Sequence, residues 1–182
     1  MKINETGFQG LLLLEPAVFA DERGYFMESF NKETLRKAGI AFEPVQDNES
    51  SSVKGVIRGL HYQLRPFEQA KLIRVIEGKI LDVVVDMRRT SRTFGKWYSV
   101  EITAESKKQL FIPRGFAHGF SVLSKSAVIQ YKCDNYYRPG FERGIALNDP
   151  SLGIEWKTDL ANAIISEKDQ KNPYFRDAEN NF

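Results

Sequence analysis

Residues 58–88 read RGLHYQLRPFEQAKLIRVIEGKILDVVVDMR, and this segment carries the clearest strand signals of the chain. Its second half predicts two strands, at 71–76 and 79–87, joined by a glycine turn. In the second strand, one face is wholly apolar and consists of Leu81, Val83, Val85 and Met87. The other face is mixed and consists of Ile80, Asp82, Val84 and Asp86. This alternation is typical of a sheet that buries one face and either lines a polar cavity or meets water with the other.

Strand patterns continue on both sides of this segment. Candidates lie at 55–63, 96–103, 108–112, 118–124 and 126–135, with shorter ones at 8–19 (interrupted by Pro16), 25–30 and 144–147. One helix is predicted from Lys32 to Ala38, because Asn31 can cap its start and Gly39 can end it. Many short strands without alternating helices predict an all-β antiparallel sandwich or barrel rather than an α/β fold.

The remaining segments are polar. Residues 49–52, ESSS, are predicted to form a loop, and Gln46 and Asn48 just before it would face the same way if their segment is extended. The tail 158–182 is predicted to wrap the outside as turns and one or two short helices, with a capping-box spacing at 166–169. Since no linker or repeat divides the chain, residues 1–182 are predicted to form one domain.

Composition narrows the classes of partner. The 26 basic and 24 acidic residues give a net charge of +2, which does not indicate a nucleic-acid-binding surface. The single cysteine, Cys133, excludes an internal disulfide and a cysteine-rich metal site, and it fits a reducing cytoplasm. The apolar run Leu11 to Leu14 is too short for a signal peptide or a membrane span. We therefore expect a cytoplasmic protein without nucleic-acid or membrane partners.

Both histidines lie in short motifs. His61 is the centre of GLHYQ (59–63), and His118 ends PRGFAH (113–118), which has the form P-x-G-x-x-H. The second motif resembles the later of the two cupin motifs. Metal-binding cupins also have an earlier H-x-H, but Gln63 takes its second position here, and only Glu68 could add a nearby carboxylate. Two histidines and one carboxylate are only the minimum for a facial metal site. Because the cupin metal set is depleted in this way, we expect no metal, and a metal cupin is kept as an alternative.

Seven blocks in order along the chain resemble the dTDP-4-dehydrorhamnose 3,5-epimerase family. They are DERGYF (21–26), QDN (46–48), RGLHYQ (58–63), KLIR (71–74), IPRGFAHGF (112–120), Tyr131 and SEKD (166–169). The resemblance implies a jelly-roll, cupin-like β-barrel with a few short peripheral helices, an N-terminal arm and a helical tail. It also implies an isomerase that needs no cofactor and converts dTDP-4-dehydro-6-deoxy-D-glucose to dTDP-4-dehydro-L-rhamnose.

The family's chemistry assigns roles to five residues. Protons at C3 and C5 of the sugar are acidic because both carbons neighbour the C4 ketone. The resemblance implies that His61, oriented by Asp169, is the base. It also implies that Lys71 stabilises the enolate and Tyr131 donates a proton, while His118 assists near the sugar. Without the resemblance, His61 would be a hydrogen-bonded wall residue, Lys71 a solvated lysine and Asp169 a helix cap.

The resemblance also implies a set of substrate-binding residues. Cations would hold the two phosphates or the sugar, an aromatic and a carboxylate would hold the base, and further polar or stacking groups would line the pocket. The cations are Arg23, Arg58 and Lys168, and the groups that hold the base are Phe26 and Glu28. The remaining pocket residues are Gln46, Asn48, Tyr137 and Glu142. In relatives the segment 23–28 reaches into the neighbouring subunit's site, so a homodimer with shared active sites is expected.

Two other functions stay open at this stage. The chain could be a related epimerase that inverts only C3 or only C5 of a dTDP-4-keto-6-deoxy sugar. It could also be a non-catalytic nucleotide-sugar-binding cupin, in which His61 would be a contact and not a base.

Overall fold

The computed structural model describes residues 1–182 and is built almost entirely from strands. These are β1 (Lys2–Glu5), β2 (Leu12–Glu15), β3 (Phe19–Asp21), β4 (Gly24–Phe26), β5 (Gln46–Val53), β6 (Ile57–Gln63), β7 (Lys71–Glu77), β8 (Lys79–Asp86), β9 (Trp97–Thr103), β10 (Gln109–Ile112), β11 (Phe116–Val122), β12 (Ser126–Cys133) and β13 (Glu142–Gly144). One α-helix, α1, spans Lys32–Lys37, and 3-10 helices span Pro139–Phe141, Asp169–Lys171 and Phe175–Asp177. The predicted all-β class is confirmed.

Two antiparallel sheets face each other. One has the strand order β1-β2-β10-β7-β12-β5, and the other has the order β13-β6-β11-β8-β9, while β3 and β4 form a separate hairpin. An apolar core lies between the sheets, with Ile73 and Ile129 from the first sheet against Val84 and Phe120 from the second. This is the predicted jelly-roll, cupin-like arrangement.

Strand β8 is buried on both faces, as its alternation allows. Ile80 and Val84 point into the core between the sheets. Leu81 and Val83 point outward and are covered by the C-terminal tail, where Trp156 is only 2% exposed. Each aliphatic side chain buried in this way contributes roughly 1.5–3 kcal/mol of hydrophobic free energy. The tail is therefore an integral layer of the fold.

Helix α1 covers the outer side of the six-stranded sheet. Leu35 packs there with Phe42 and Phe111. The Asn31 side chain accepts a hydrogen bond from the Thr34 N–H at 3.0 Å, so the predicted cap is confirmed. Neither α1 nor any 3-10 helix has the length and apolar character needed to cross a bilayer.

The prediction of a loop at 49–52 was wrong. These residues lie in β5, an edge strand that pairs along its whole length with β12. Its side chains alternate in exposure, and Gln46 and Asn48 both point inward, as expected for an extended segment. Serine and acidic side chains are poor strand formers, and here the ladder with β12 overrides that preference.

The last strand is also displaced from its predicted position. It is β13, at Glu142–Gly144, and not 144–147. After Gly144 the ladder with β6 ends in one further hydrogen bond, from the Ile145 N–H to the Leu60 carbonyl oxygen at 3.0 Å, and Ile145 and Leu147 pack beneath the tail. Strand β1 gave no signal in the sequence and is held by its pairing with β2.

Candidate active site

A cavity of about 450 Å³ lies between the two sheets. The five-stranded sheet contributes His61 from β6 and His118 from β11, and the six-stranded sheet contributes Lys71 from β7 and Tyr131 from β12. The tail closes one side with residues 164–166 and 168–169. A second hollow of about 290 Å³ adjoins the first, shares three of these four side chains and extends towards β13.

Eleven of the fourteen predicted site residues line one or both hollows. The first is lined by Arg58, His118, Lys168 and Asp169, the second by Gln46, Asn48, Tyr137 and Glu142, and both by His61, Lys71 and Tyr131. The sheets therefore bring together residues that are widely separated in the sequence.

His61 and Asp169 form a short hydrogen-bonded pair. His61 Nε2 lies 2.6 Å from Asp169 Oδ1, and the carboxylate is buried whereas the imidazole side chain is 30% exposed. Burial pushes the pKa of Asp169 upward, but the hydrogen bond and charge of His61 outweigh it, so the net pKa is lowered. Asp169 therefore stays ionised and orients an imidazole whose edge faces the cavity.

The position of His61 follows from the alternation of β6. Its neighbours Leu60 and Tyr62 pack outward beneath the tail, so His61 must point inward. In the ladder between β6 and β11, His61 lies directly opposite His118. Both histidines consequently stand side by side on one wall of the cavity.

Lys71 and Tyr131 form the facing wall. The Lys71 ammonium lies 6.0 Å from the centre of the Tyr131 ring. Burial lowers the pKa of Lys71, and Cys133, Asp82 and Glu142 counteract this in part. Burial raises the pKa of Tyr131, so its phenol stays protonated at neutral pH. One wall thus offers a cation and a proton donor.

Asp82 is a site residue that the sequence analysis did not identify. It is fully buried on β8, and its Oδ1 and Oδ2 lie 3.0 and 3.1 Å from His118 Nε2. The signal was an aspartate between Ile80 and Val84 on a face that otherwise packs into the core. A buried carboxylate requires a partner. His118 provides it for Oδ2, whereas Oδ1 has no hydrogen-bond partner, and the negative charge favours the Lys71 ammonium.

Glu142 gathers the groups at the outer end of the second hollow. Its carboxylate accepts a 2.6 Å hydrogen bond from the Tyr137 hydroxyl and pairs with the Lys168 ammonium. Burial acts to raise the pKa of Glu142, but the hydrogen bonds from Lys168 and Tyr137 lower it by more than this. The net pKa is lowered, so the group is ionised. The same hydrogen bond raises the pKa of Tyr137 to about 12. Arg58, by contrast, lines the first cavity from β6, and its Nε donates to Ser52 Oγ at 3.0 Å.

Three predicted residues, Arg23, Phe26 and Glu28, do not line either hollow. Arg23 and Phe26 belong to the β3–β4 hairpin, where Phe26 is 67% exposed and Arg23 pairs only with Asp21. Within one chain, all three therefore lie outside the hollows that the other eleven predicted residues line.

The chain contains no group of three or more His, Cys, Asp or Glu side chains arranged to hold a metal ion. Glu68, the carboxylate considered for such a site, instead faces Arg65 at 3.7 Å and Arg114 at 3.9 Å. Gln63 is occupied by backbone groups, with its amide nitrogen 2.6 Å from the Phe67 carbonyl oxygen.

Comparison with known proteins identifies the family. Residues 5–177 match the family model described as dTDP-4-dehydrorhamnose 3,5-epimerase. The protein of that name from Shigella flexneri is 51% identical over 180 residues, which cover 98% of each chain. The crystal structure of the one from Elizabethkingia anophelis superposes with a TM-score of 0.92 at 49% identity, covering 97% of each chain. A Legionella pneumophila 3,5-epimerase, solved in complex with dTDP-4-keto-L-rhamnose, gives a TM-score of 0.91 at 44% identity, covering 95% of this chain and 92% of that one. With a family model matched over nearly its whole length and relatives this similar, the chain belongs to the dTDP-4-dehydrorhamnose 3,5-epimerase family.

Proposed function

We propose that the protein inverts C3 and C5 of dTDP-4-dehydro-6-deoxy-D-glucose and so forms dTDP-4-dehydro-L-rhamnose for dTDP-L-rhamnose biosynthesis. The observation that carries this proposal is the opposition of His61 and Tyr131 across one cavity, with Lys71 beside the tyrosine. Inversion at a carbon requires a proton to leave one face and return to the other. A base and an acid on facing walls provide this geometry.

The reaction has two proton transfers at each carbon. Neutral His61 takes the proton from the carbon next to the C4 ketone, and Asp169 stabilises the resulting imidazolium. The C–H electron pair moves into the enolate, whose oxygen is stabilised by the Lys71 ammonium. Tyr131 then gives its phenolic proton to the opposite face of C5, whereas solvent supplies the proton to C3. Solvent also removes the proton from the imidazolium and restores the phenol, so that both groups can act again.

The nucleotide end of the site is assigned to the second hollow and the adjoining cations. Arg58 and Lys168 are proposed to hold the diphosphate, because guanidinium and ammonium groups bind phosphate oxygens strongly. Tyr137 is proposed to stack on the thymine. Glu142 holds both Tyr137 and Lys168, so it would couple the base site to the phosphate site.

Solvent exchange tests this function directly. The sugar nucleotide is incubated with the enzyme in D2O, and deuterium at C3 and C5 is followed by NMR. Incorporation at both carbons is expected. Incorporation at one carbon would indicate a C3-only or C5-only epimerase, and none would indicate a nucleotide-sugar-binding protein. Metal analysis of the purified, active protein separates a metal-dependent cupin from all three.

Tyr131→Phe is expected to separate proton removal from inversion. The ring remains, but the proton donor is lost, so product inverted at C5 should form about 100-fold more slowly. Exchange at C5 should fall less than tenfold, because His61 can return a deuteron to the face from which it took the proton. Parallel measurements of exchange and product by NMR check this. Equal losses of both would contradict the role of Tyr131 as donor.

The alkaline limb of kcat/KM should report the ionisation of Lys71. Burial lowers the pKa of Lys71. The ammonium is present at low pH, and as the pH rises it should be lost, together with the activity, before the pH reaches the usual lysine pKa of about 10.4. Asp82→Asn removes a negative charge that favours the ammonium, and it should move this limb to still lower pH. Glu101→Gln, on the surface beside Lys79 and Lys157, is the matched control and should not move it. A limb unmoved by Asp82→Asn would contradict the assignment.

Two further features of the enzyme are proposals. We infer a homodimer in which Arg23, Phe26 and Glu28 complete the partner's site, since the hairpin that carries the first two is exposed. Sedimentation of the purified protein as a monomer at all concentrations would overturn this.

The cytoplasm is the proposed compartment, supported by a free, buried Cys133 that needs no oxidising environment, and fractionation of cells tests it.

A further inference from the structure

Gln63 binds the backbone on both sides of Tyr137. Its side-chain nitrogen donates to the carbonyl oxygens of Phe67 at 2.6 Å and Tyr136 at 3.2 Å, and its side-chain oxygen accepts the N–H of Arg138 at 2.6 Å. A primary amide has only two N–H donors, so both are used. Since the side chain is also only 4% exposed, it is a structural support and is not free to bind a ligand.

A second glutamine acts on the same segment. Gln46 Oε1 accepts the N–H of Tyr137 at 2.9 Å, so both peptide groups that flank this tyrosine are held by glutamine side chains. In the ladder between β6 and β13, Gln63 is the direct partner of Glu142. The Glu142 carboxylate in turn accepts the Tyr137 hydroxyl. Gln63 therefore lies where the segments that carry Tyr137 and Glu142 meet.

Aromatic packing supports the same segment from the other side. The rings of Phe67 and Phe141 are 4.5 Å apart in an edge-to-face arrangement. The Arg138 guanidinium lies over the Phe67 ring at 5.3 Å. Gln63 adds hydrogen bonds to this packing, because its side chain links the Phe67 carbonyl oxygen to the backbone of residues 136 and 138.

We propose that Gln63 is a positioning residue for the nucleotide, which fixes Tyr137 and Glu142 in the orientation that receives the base. It occupies the position at which a metal-binding cupin has the second histidine of H-x-H, and here that position serves the loop and not a metal. The inference rests on the proposed function, because that function assigns Tyr137 to the thymine. All three hydrogen bonds of the Gln63 side chain go to the backbone, and none goes to a group assigned to proton transfer.

The test is the binding of dTDP and of inorganic pyrophosphate by calorimetry. Gln63→Met keeps the length of the side chain but removes its hydrogen bonds, so the affinity for dTDP should fall about tenfold. The KM for the sugar nucleotide should rise similarly, and kcat should change less than about threefold. Pyrophosphate affinity should fall less than twofold, because Arg58 bonds to Ser52 and Lys168 is linked to Gln63 only through Glu142. A loss confined to the ligand with a base would not arise from general destabilisation.

Gln109→Met is the matched control. Gln109 is 1% exposed and donates to the Ser29 carbonyl oxygen at 2.9 Å, so the substitution removes a buried, hydrogen-bonded glutamine outside both hollows. It should leave both affinities unchanged. A double-mutant cycle adds specificity, since Gln63→Met should have almost no further effect on dTDP binding once Tyr137→Ala is present.

Three outcomes would overturn the proposal: equal weakening of both ligands, no weakening of dTDP, or full additivity with Tyr137→Ala. Should Gln63→Met not fold, Gln63→Asn keeps the amide but shortens its reach, and the same result is expected. Failure of the wild-type protein to bind dTDP would instead contradict the proposed function, which keeps the two failures distinguishable.

Discussion

His61→Ala is expected to abolish measurable deuterium exchange at both C3 and C5. The variant lacks the group that accepts the proton, and no other base has the same reach, because His118 Nε2 is directed at the buried Asp82. General-base catalysis contributes about 10²–10⁴-fold, so a loss near the upper end is expected at each carbon. NMR of the sugar nucleotide in D2O measures both rates in one sample.

The second histidine provides the comparison. His118→Ala removes an imidazole from the same wall, opposite His61 in the ladder, and should slow exchange far less than His61→Ala does. Added imidazole should restore part of the activity of His61→Ala, since the substitution leaves an open space at the cavity. Exchange at the wild-type rate in His61→Ala would remove His61 from the mechanism, and equal losses in the two variants would leave the base unassigned.

Local patterns allowed much of the scaffold to be predicted. Strands β6 to β12 were located because alternation of side chains acts over a few residues and is visible in any window. The helix α1 was found from Asn31 and Gly39, whose roles also depend only on neighbouring residues. The inward direction of His61 follows from the same alternation, since Leu60 and Tyr62 pack on the outer face.

Features that depend on distant contacts could not be predicted in this way. Strand β5 is rich in serine and acidic residues because one of its faces is exposed and the other lines a polar cavity. The alternation of β8 marks Asp82 as a polar residue on a core-facing strand face, but only the pairing of β8 with β11 places it against His118. Asp169 lies 108 residues from His61 in the sequence. It was proposed only because its sequence block resembles that of a known family.

The hairpin β3–β4 shows a different limit of prediction from the sequence of one chain. Its sequence block matched the family as well as the others did, yet Arg23 and Phe26 lie away from the cavity of their own chain. The homodimer proposed above accounts for this, because the hairpin would then contribute to the site of the partner subunit. The exposed aromatic side chains Phe19, Tyr25 and Phe26 are the physical basis for that proposal.

Lys71→Met should lower both exchange and product formation by about 10²–10³-fold, the usual cost of losing a group that stabilises an oxyanion. Methionine retains most of the aliphatic stem but carries no charge. The enolate forms when the proton leaves, so its stabiliser affects the exchange step itself, unlike Tyr131. The variant should also lose the alkaline limb of kcat/KM that is assigned to Lys71.

A neighbouring lysine gives the matched control for this experiment. Lys132 lies on β12 with its side chain on the outer face, where it pairs with Asp47 at 2.6 Å. Lys132→Met should change the rates less than about twofold, since the cost of losing an exposed ion pair is small. A Lys71→Met enzyme that keeps exchange within a few-fold of wild type would show that the enolate needs no ammonium. Loss of exchange in His61 and Lys71 variants, set against its survival in Tyr131→Phe, would assign enolate formation to the first two residues and inversion to the third.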